Sequence, residues 1–79
     1  MSECLCRGVY ARYQRIAFPF PQYAVRIGEG INIGTVTKWA ECRWAGKTAS
    51  GAHTAKDEQT RGEAALALYY AWRREGTKP

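Results

Sequence analysis

The stretch Gln22-Tyr23-Ala24-Val25-Arg26-Ile27-Gly28-Glu29-Gly30-Ile31-Asn32-Ile33 carries the clearest two-residue periodicity in the chain. Tyr23, Val25 and Ile27 alternate with Ala24 and Arg26, the pattern of a strand with one face turned inward. Gly28-Glu29-Gly30 supplies two residues that tolerate positive φ, and Ile31-Asn32-Ile33 resumes the alternation, so the segment predicts a β-hairpin. Gly34 and the change of parity between Ile33 and Val36 predict a bulge in a long second strand, which runs on through Trp39, Ala40, Cys42 and Trp44. Ala45-Gly46 is then a candidate turn, and Lys47 to His53 a third, edge-type strand of small residues.

Working outward toward the C-terminus, Ala64, Ala65, Leu68, Ala71 and Trp72 recur at helical spacing. Arg73 and Arg74 fall in the last turn and Gly76 stands just past it. A helix over 56–74 is expected, with Thr54 and Asp57 as the capping pair that starts it. Gly62 inside that helix costs about 1 kcal/mol against alanine, which fits either close packing on the sheet or a tolerated surface position.

Toward the N-terminus two readings compete over residues 2–17. Leu5, Val9, Tyr13 and Ile16 recur at the spacing of one helical face behind Ser2 and Glu3, although Gly8 interrupts them. The same residues also read as an extended segment in which Val9, Ala11 and Tyr13 alternate with Tyr10, Arg12 and Gln14. Phe18-Pro19-Phe20-Pro21 cannot continue a helix and forms a stiff connector whose phenylalanines are expected to cover the core edge. The fold class expected is α+β, a three-stranded antiparallel sheet packed against a C-terminal helix, with an N-terminal helix on the first reading.

The 79 residues are expected to form one domain, 1–79, since a chain of this length has room for one core. With 46% hydrophobic and 13% aromatic residues it is too apolar for a disordered chain. There is no apolar run of the roughly 20 residues that span a membrane, and no basic-then-apolar leader, so no membrane partner and a cytoplasmic location are expected. Cys4, Cys6 and Cys42 are an odd set with the spacing of reduced thiols rather than of a disulfide framework. With His53 they make a candidate Cys3His zinc set, but one Cys-x-Cys and two isolated residues lack the paired knuckles such sites use, so no metal is expected.

Catalytic constellations are equally thin. Gly46-Lys47-Thr48 ends like a phosphate-binding loop, but Glu41 stands where that motif needs glycine. Glu58 and Glu63 do not share a helix face, and His53, the single histidine, has no evident nucleophile or orienting group. No enzyme activity and no cofactor are expected.

Helix, three antiparallel strands and helix is the element order of the double-stranded-RNA-binding domain, and within residues 21–72 the chain resembles that family. Pro21-x-Tyr23-x-Val25 looks like the opening of its first strand, and Ala64-Ala65 sits where its second helix carries small residues. The resemblance implies binding to duplex RNA. The family's phosphate-gripping lysine motif at the start of that helix is absent: Thr54-Ala55-Lys56-Asp57-Glu58-Gln59 offers one lysine and two acids.

Charge for a polyanion lies elsewhere. The chain carries a formal net charge of +5. Arg7, Arg12, Arg15, Arg26, Lys38, Arg43 and Lys47 against Glu3, Glu29 and Glu41 put four of those five charges before Thr54. Arginine outnumbers lysine eight to four, which suits planar recognition of phosphate, and Tyr10, Tyr13, Trp39 and Trp44 are interleaved with it. On an uninterrupted strand Trp39, Glu41 and Arg43 would share one face and Ala40, Cys42 and Trp44 the other, so one tryptophan at most is core; Trp39 is either exposed for a base or partner, or covered by a terminal element.

The function expected is a small basic non-enzymatic interaction module, acting as monomer or homodimer, that binds nucleic acid, duplex or single strand. It would grip backbone phosphates through Arg7, Arg12, Arg15, Arg26, Lys38, Arg43 and Lys47, with Trp39 beside them and little sequence readout. About five phosphate contacts would give a log affinity against log salt slope of roughly −4 to −5 on duplex DNA. The alternative is a phage-type inhibitor or adaptor that docks on an acidic protein surface of a host nucleic-acid machine, an anti-defence role such as that of an anti-CRISPR.

Overall fold

The computed structural model describes residues 2–16, 19–54 and 57–76. Five strands precede one helix: β1 (Ser2–Cys6), β2 (Val9–Ile16), β3 (Gln22–Ile27), β4 (Ile31–Ala40), β5 (Arg43–Thr48) and α1 (Arg61–Gly76). The strands form one antiparallel sheet in the order β1-β2-β3-β4-β5, each paired with its chain neighbour. The sheet is curled, and α1 packs on one of its faces.

The N-terminal helix expected on the first reading is replaced by a hairpin. Arg7 and Gly8 adopt φ of 51° and 80°, the pair of positive values that a mirror-image two-residue turn needs, and the chain reverses there. Leu5, Val9 and Tyr13 are four residues apart, and four is close to one helical turn while also being a multiple of the strand period. Their spacing therefore fits both structures. The alternation of Ala11, which is fully buried, with exposed Tyr10 and Arg12 is what the structure realises. The expected three-stranded sheet is in consequence five-stranded.

The β3–β4 hairpin forms as read, closed by a bond from the Gly30 N–H to the Ile27 carbonyl at 3.0 Å. The bulge falls at Ile33: Val25 pairs with Gly34 and Arg26 with Asn32, so Ile33 is the extra residue. The Asn32 side-chain oxygen steadies it by accepting the Gly34 N–H at 2.9 Å.

Beyond this point the expected strand boundaries are corrected. The second hairpin strand ends at Ala40, and Glu41-Cys42 turns the chain, with Cys42 at φ 55°. Neither residue is a customary turn former, which is why the alternation reads on to Trp44 in the sequence. Ala45-Gly46, expected as a turn, lies inside β5, and the strand expected over Lys47 to His53 ends at Thr48. His53 instead folds back against Lys47 in an isolated bridge. The loop after β5 covers that edge of the sheet. Trp44 and Glu58 exchange backbone bonds at 2.7 and 2.9 Å, and the Thr54 N–H reaches the Gly46 carbonyl at 2.9 Å.

The helix begins at Arg61, several residues later than expected. Its box is Thr60 with Glu63: the Thr60 hydroxyl accepts the Glu63 N–H at 3.1 Å and donates to the Glu63 carboxylate at 3.2 Å. Thr54 is engaged with Gly46, and Asp57 pairs with Arg43, so neither starts the helix. Ala55 and Lys56, like Ala17 and Phe18 of the proline connector, lie outside the described residues. Phe20 does not cover the core edge as expected; it is 50% exposed.

Ala64, Ala65, Leu68 and Tyr69 turn inward onto Ala11, Val25, Ile27, Ile33 and Val36. The approach is closest at two glycines. A Cβ on Gly34 would stand 2.9 Å from both the Leu68 Cδ1 and the Thr48 Cα, and one on Gly46 3.3 Å from the Leu68 Cβ.

Both ends of α1 are tied. Arg61 donates to Glu3 on β1 at 3.3 Å and lies over the rings of Tyr13 and Tyr23, at 4.2 and 4.9 Å from their centroids. Glu3 also accepts the Tyr13 hydroxyl at 2.9 Å, and Gly62 leaves its carboxylate room, since a Cβ there would come within 2.5 Å of it. At the other end Glu75 accepts the Ser50 hydroxyl at 2.8 Å and that of the buried Thr48 at 3.3 Å. These bonds offset the unfavourable placing of an acid at a helix C-terminus.

Two outcomes follow for stability. Gly34→Ala combines φ 147° with contacts at 2.9 Å to Leu68 and Thr48, and is expected to lower the unfolding free energy by about 3 kcal/mol, read as a lower urea midpoint at unchanged slope. Burial, and then the neighbouring Glu3 carboxylate, push the Tyr13 hydroxyl well above its ordinary value. Its contribution to stability is therefore complete below about pH 10 and is lost as the pH rises past that value, because the unfolded chain gives up this proton first. Urea midpoints measured across this alkaline range should fall less steeply for Tyr13→Phe than for the native chain.

Candidate nucleic-acid interface

Because α1 occupies one face of the sheet, the strand period assigns every second residue to the other. Across β2, β3 and β4 the register aligns Arg12, Arg26 and Asn32 in one row. Two residues along, Gln14, Ala24, Thr35 and Lys47 form a second row that reaches β5. Ile16, Gln22, Thr37 and Ala45 continue into a third. Tyr10 stands on the same face at the near end of β2, 51% exposed, beside Arg7 in the β1–β2 turn.

This open face sets polar side chains around Ile16, Ala24 and Ala45, and its charges have one sign. Glu3, Glu41, Asp57, Glu63 and Glu75 are bonded at the helix side or at the ends and edge of the sheet. Glu29 lies in the β3–β4 turn, and Glu58 in the loop that covers β5. No acid among the described residues stands in the three rows. Arg12 and Arg26 are direct cross-strand partners, an arrangement that raises the energy of a sheet when both carry the same charge. Neither makes an ion pair among the described residues.

The seven basic residues singled out from the sequence are thus divided. Arg12, Arg26 and Lys47 come together on the open face, with Arg7 at its rim. Arg15 points to the helix side, over the Tyr23 ring at 5.4 Å. Lys38, half-buried, pairs with Glu41 at 3.5 Å. Arg43 bonds Asp57 at 2.9 Å and covers the Trp39 ring at 5.6 Å, at the β4–β5 end of the sheet. Trp39 itself is the extra residue of a second register shift, where Ala40 pairs with Arg43, and is 45% exposed. Trp44 is the half-buried tryptophan, 6.1 Å from Tyr23 on the helix side.

The uncharged members Gln14, Gln22, Asn32, Thr35 and Thr37 were missed by attention to charge alone. The signal for Gln14 was present in the extended reading of residues 9–14, which places it beside Arg12 and Tyr10. Of the candidate zinc residues, Cys6 has its side chain outside the described residues, and the other three are dispersed. Cys4 is on the β1 edge strand, Cys42 in the turn into the opposite edge strand and His53 in the loop beyond it. Among the described residues no group of three His, Cys, Asp or Glu could hold a metal ion. No helix among them is long and apolar enough to cross a membrane.

Compared with known protein families, curated proteins and solved structures, the chain matches none.

Arg12→Glu converts a like-charged cross-strand pair into an attractive one. It is expected to raise stability by about 0.5 kcal/mol in urea titrations at low salt, a gain that disappears in high salt. A fold that needs Arg12 for packing would instead be destabilised by the change.

Proposed function

We propose that this chain is a nucleic-acid-binding module whose contact surface is the sheet face opposite α1. The observation that carries the reading is the Arg12–Arg26 pair, two like charges held side by side with no acid in their rows. A merely solvated face commonly interleaves both signs, and opposing like charges cost stability that a bound polyanion would recover. Lys47 and Arg7 extend the positive tract across the sheet and to its rim, and backbone phosphates are the matching partners.

A protein-docking reading has one specific observation in its favour. Phe20 and Trp39, 50% and 45% exposed, border one shallow depression with Lys38 and Glu41. An aromatic pair of this kind could anchor an acidic partner, the inhibitor or adaptor role. Capture of a host protein that survives nuclease treatment, and is lost in Trp39→Ala but kept in Arg12→Glu, would favour it.

The nucleic-acid reading replaces seven candidate contacts by four. Titration of a labelled duplex of arbitrary sequence over a salt series, where all four cations meet phosphates, should give a slope of roughly −3.5 in log affinity against log salt on DNA. Arg12→Glu with Arg26→Glu should abolish binding at moderate salt, whereas Arg15→Gln and Lys38→Gln should leave it within about twofold, since surface charges off the contact add little. Absence of binding to every nucleic acid at low salt would sink the proposal.

A further inference from the structure

Charge alone does not describe the open face, whose uncharged members are amides, hydroxyls and the small or aliphatic Ile16, Ala24 and Ala45 rather than aromatics. Three occupants are conceivable on chemical grounds. A single strand is gripped by stacking its bases on aromatic rings, and within the three rows there is no aromatic residue; Tyr10 stands at the rim. An A-form RNA duplex has a deep, narrow major groove that side chains cannot read and is recognised across its minor groove through ribose hydroxyls. A B-form DNA duplex has a major groove about 12 Å wide that admits an α-helix or a two-stranded β-ribbon.

The dimensions of the sheet suit the last. Strands lie about 4.8 Å apart, so the axes of β2 and β3, which carry Arg12 and Arg26, fit within the groove with β4 at its far side. The five strands span roughly 19 Å, and the edge strands β1 and β5 lie over the groove walls. Rows two residues apart along a strand are separated by about 6.7 Å, close to two base-pair steps of about 3.4 Å. With the strands lying along the groove, Arg12, Gln14, Arg26, Asn32 and Thr35 face the base edges. Lys47 on β5 and Arg7 in the first turn fall outside the three strands, toward the flanking phosphates.

The side chains carry the complementary chemistry. Arginine donates two parallel bonds to the O6 and N7 of guanine, glutamine and asparagine pair with the N6 and N7 of adenine, and threonine meets the thymine methyl. The Gln14 side chain makes no hydrogen bond among the described residues. Asn32 uses its side-chain oxygen on the Gly34 N–H at 2.9 Å, which leaves its NH2 free to donate outward and fixes the direction of that donor.

Resting on the nucleic-acid reading above, we infer that the open sheet face reads base edges in the major groove of duplex DNA, with Arg12 and Arg26 as the guanine-reading pair. Binding is then sequence-specific rather than confined to the backbone.

Selection from a random duplex DNA library, followed by titration of the selected sequence against unrelated DNA, duplex RNA of the same sequence and both single strands, tests this directly. The expected result is a short consensus containing guanine, bound at least 100-fold more tightly than the other probes. Arg12→Lys keeps the charge and the fold but not the paired geometry, and should cost the selected sequence roughly 10- to 100-fold while leaving unrelated DNA and the salt slope unchanged. Lys47→Met should weaken all duplexes alike and flatten the slope by about one. Equal affinity for selected and unrelated DNA, or tighter binding to duplex RNA or single strands, would overturn the inference while leaving the broader reading in place. No binding to any probe at low salt would remove both, and urea midpoints of each variant separate lost contacts from lost folding.

Discussion

Everything in this structure turns on how closely α1 can lie on the sheet, and that distance is set by Leu68 over Gly34 and Gly46. Where β4 and β5 carry no side chain, a leucine from the helix meets backbone, and the two layers close without a gap. The side chains that surround this contact are small or branched, Ala64, Ala65, Ile33 and Val36, as a narrow interlayer space requires. One helix of this length can cover only one face. The sheet's other face is therefore left to water or to a partner, and its composition becomes the informative part of the molecule.

The helix-side polar groups are largely committed to fixing that contact. Glu3, Tyr13 and Arg61 join the first strand to the start of the helix, and Ser50, Thr48 and Glu75 join the end of the helix to the far side of the sheet. Each of these acids has a defined structural partner. Their placement helps explain how a chain with seven acidic residues still presents an acid-free tract: Glu3 and Glu75 tie the helix to the sheet, and the other acids lie in turns, loops or the first turn of the helix.

The β3–β4 hairpin, the bulge beside Gly34 and the core face of α1 were legible because period, glycine placement and alternation agreed there. Residues 2–17 were ambiguous for a reason intrinsic to them, since Leu5, Val9 and Tyr13 are spaced by a number common to both periods; Arg7-Gly8 was the deciding turn, and arginine gives no sign that it will adopt φ 51°. Glu41-Cys42 hid the next turn in the same way. The start of α1 was misplaced because two segments, Thr54 to Asp57 and Thr60 to Glu63, carry the same capping pattern, and only the tertiary partners Gly46 and Arg43 remove the first from contention. Of the candidate site, the charges could be listed from sequence, but their sorting required the strand register that these turns define.

That sorting bears on why the open face should be read as a binding surface rather than as an ordinary solvated one. Half-buried antiparallel sheets always have a polar face, and a few basic residues on it would call for no explanation. Here Arg12 and Arg26 are opposed on neighbouring strands while the acids stand outside their rows. A sequence selected for stability alone gains by replacing either arginine, at no cost to the core, because neither packs against it. The folded chain gains nothing from opposing these two arginines, and on that imbalance the proposed binding surface rests: the complement we propose for two neighbouring guanidinium groups is an array of phosphates and base edges.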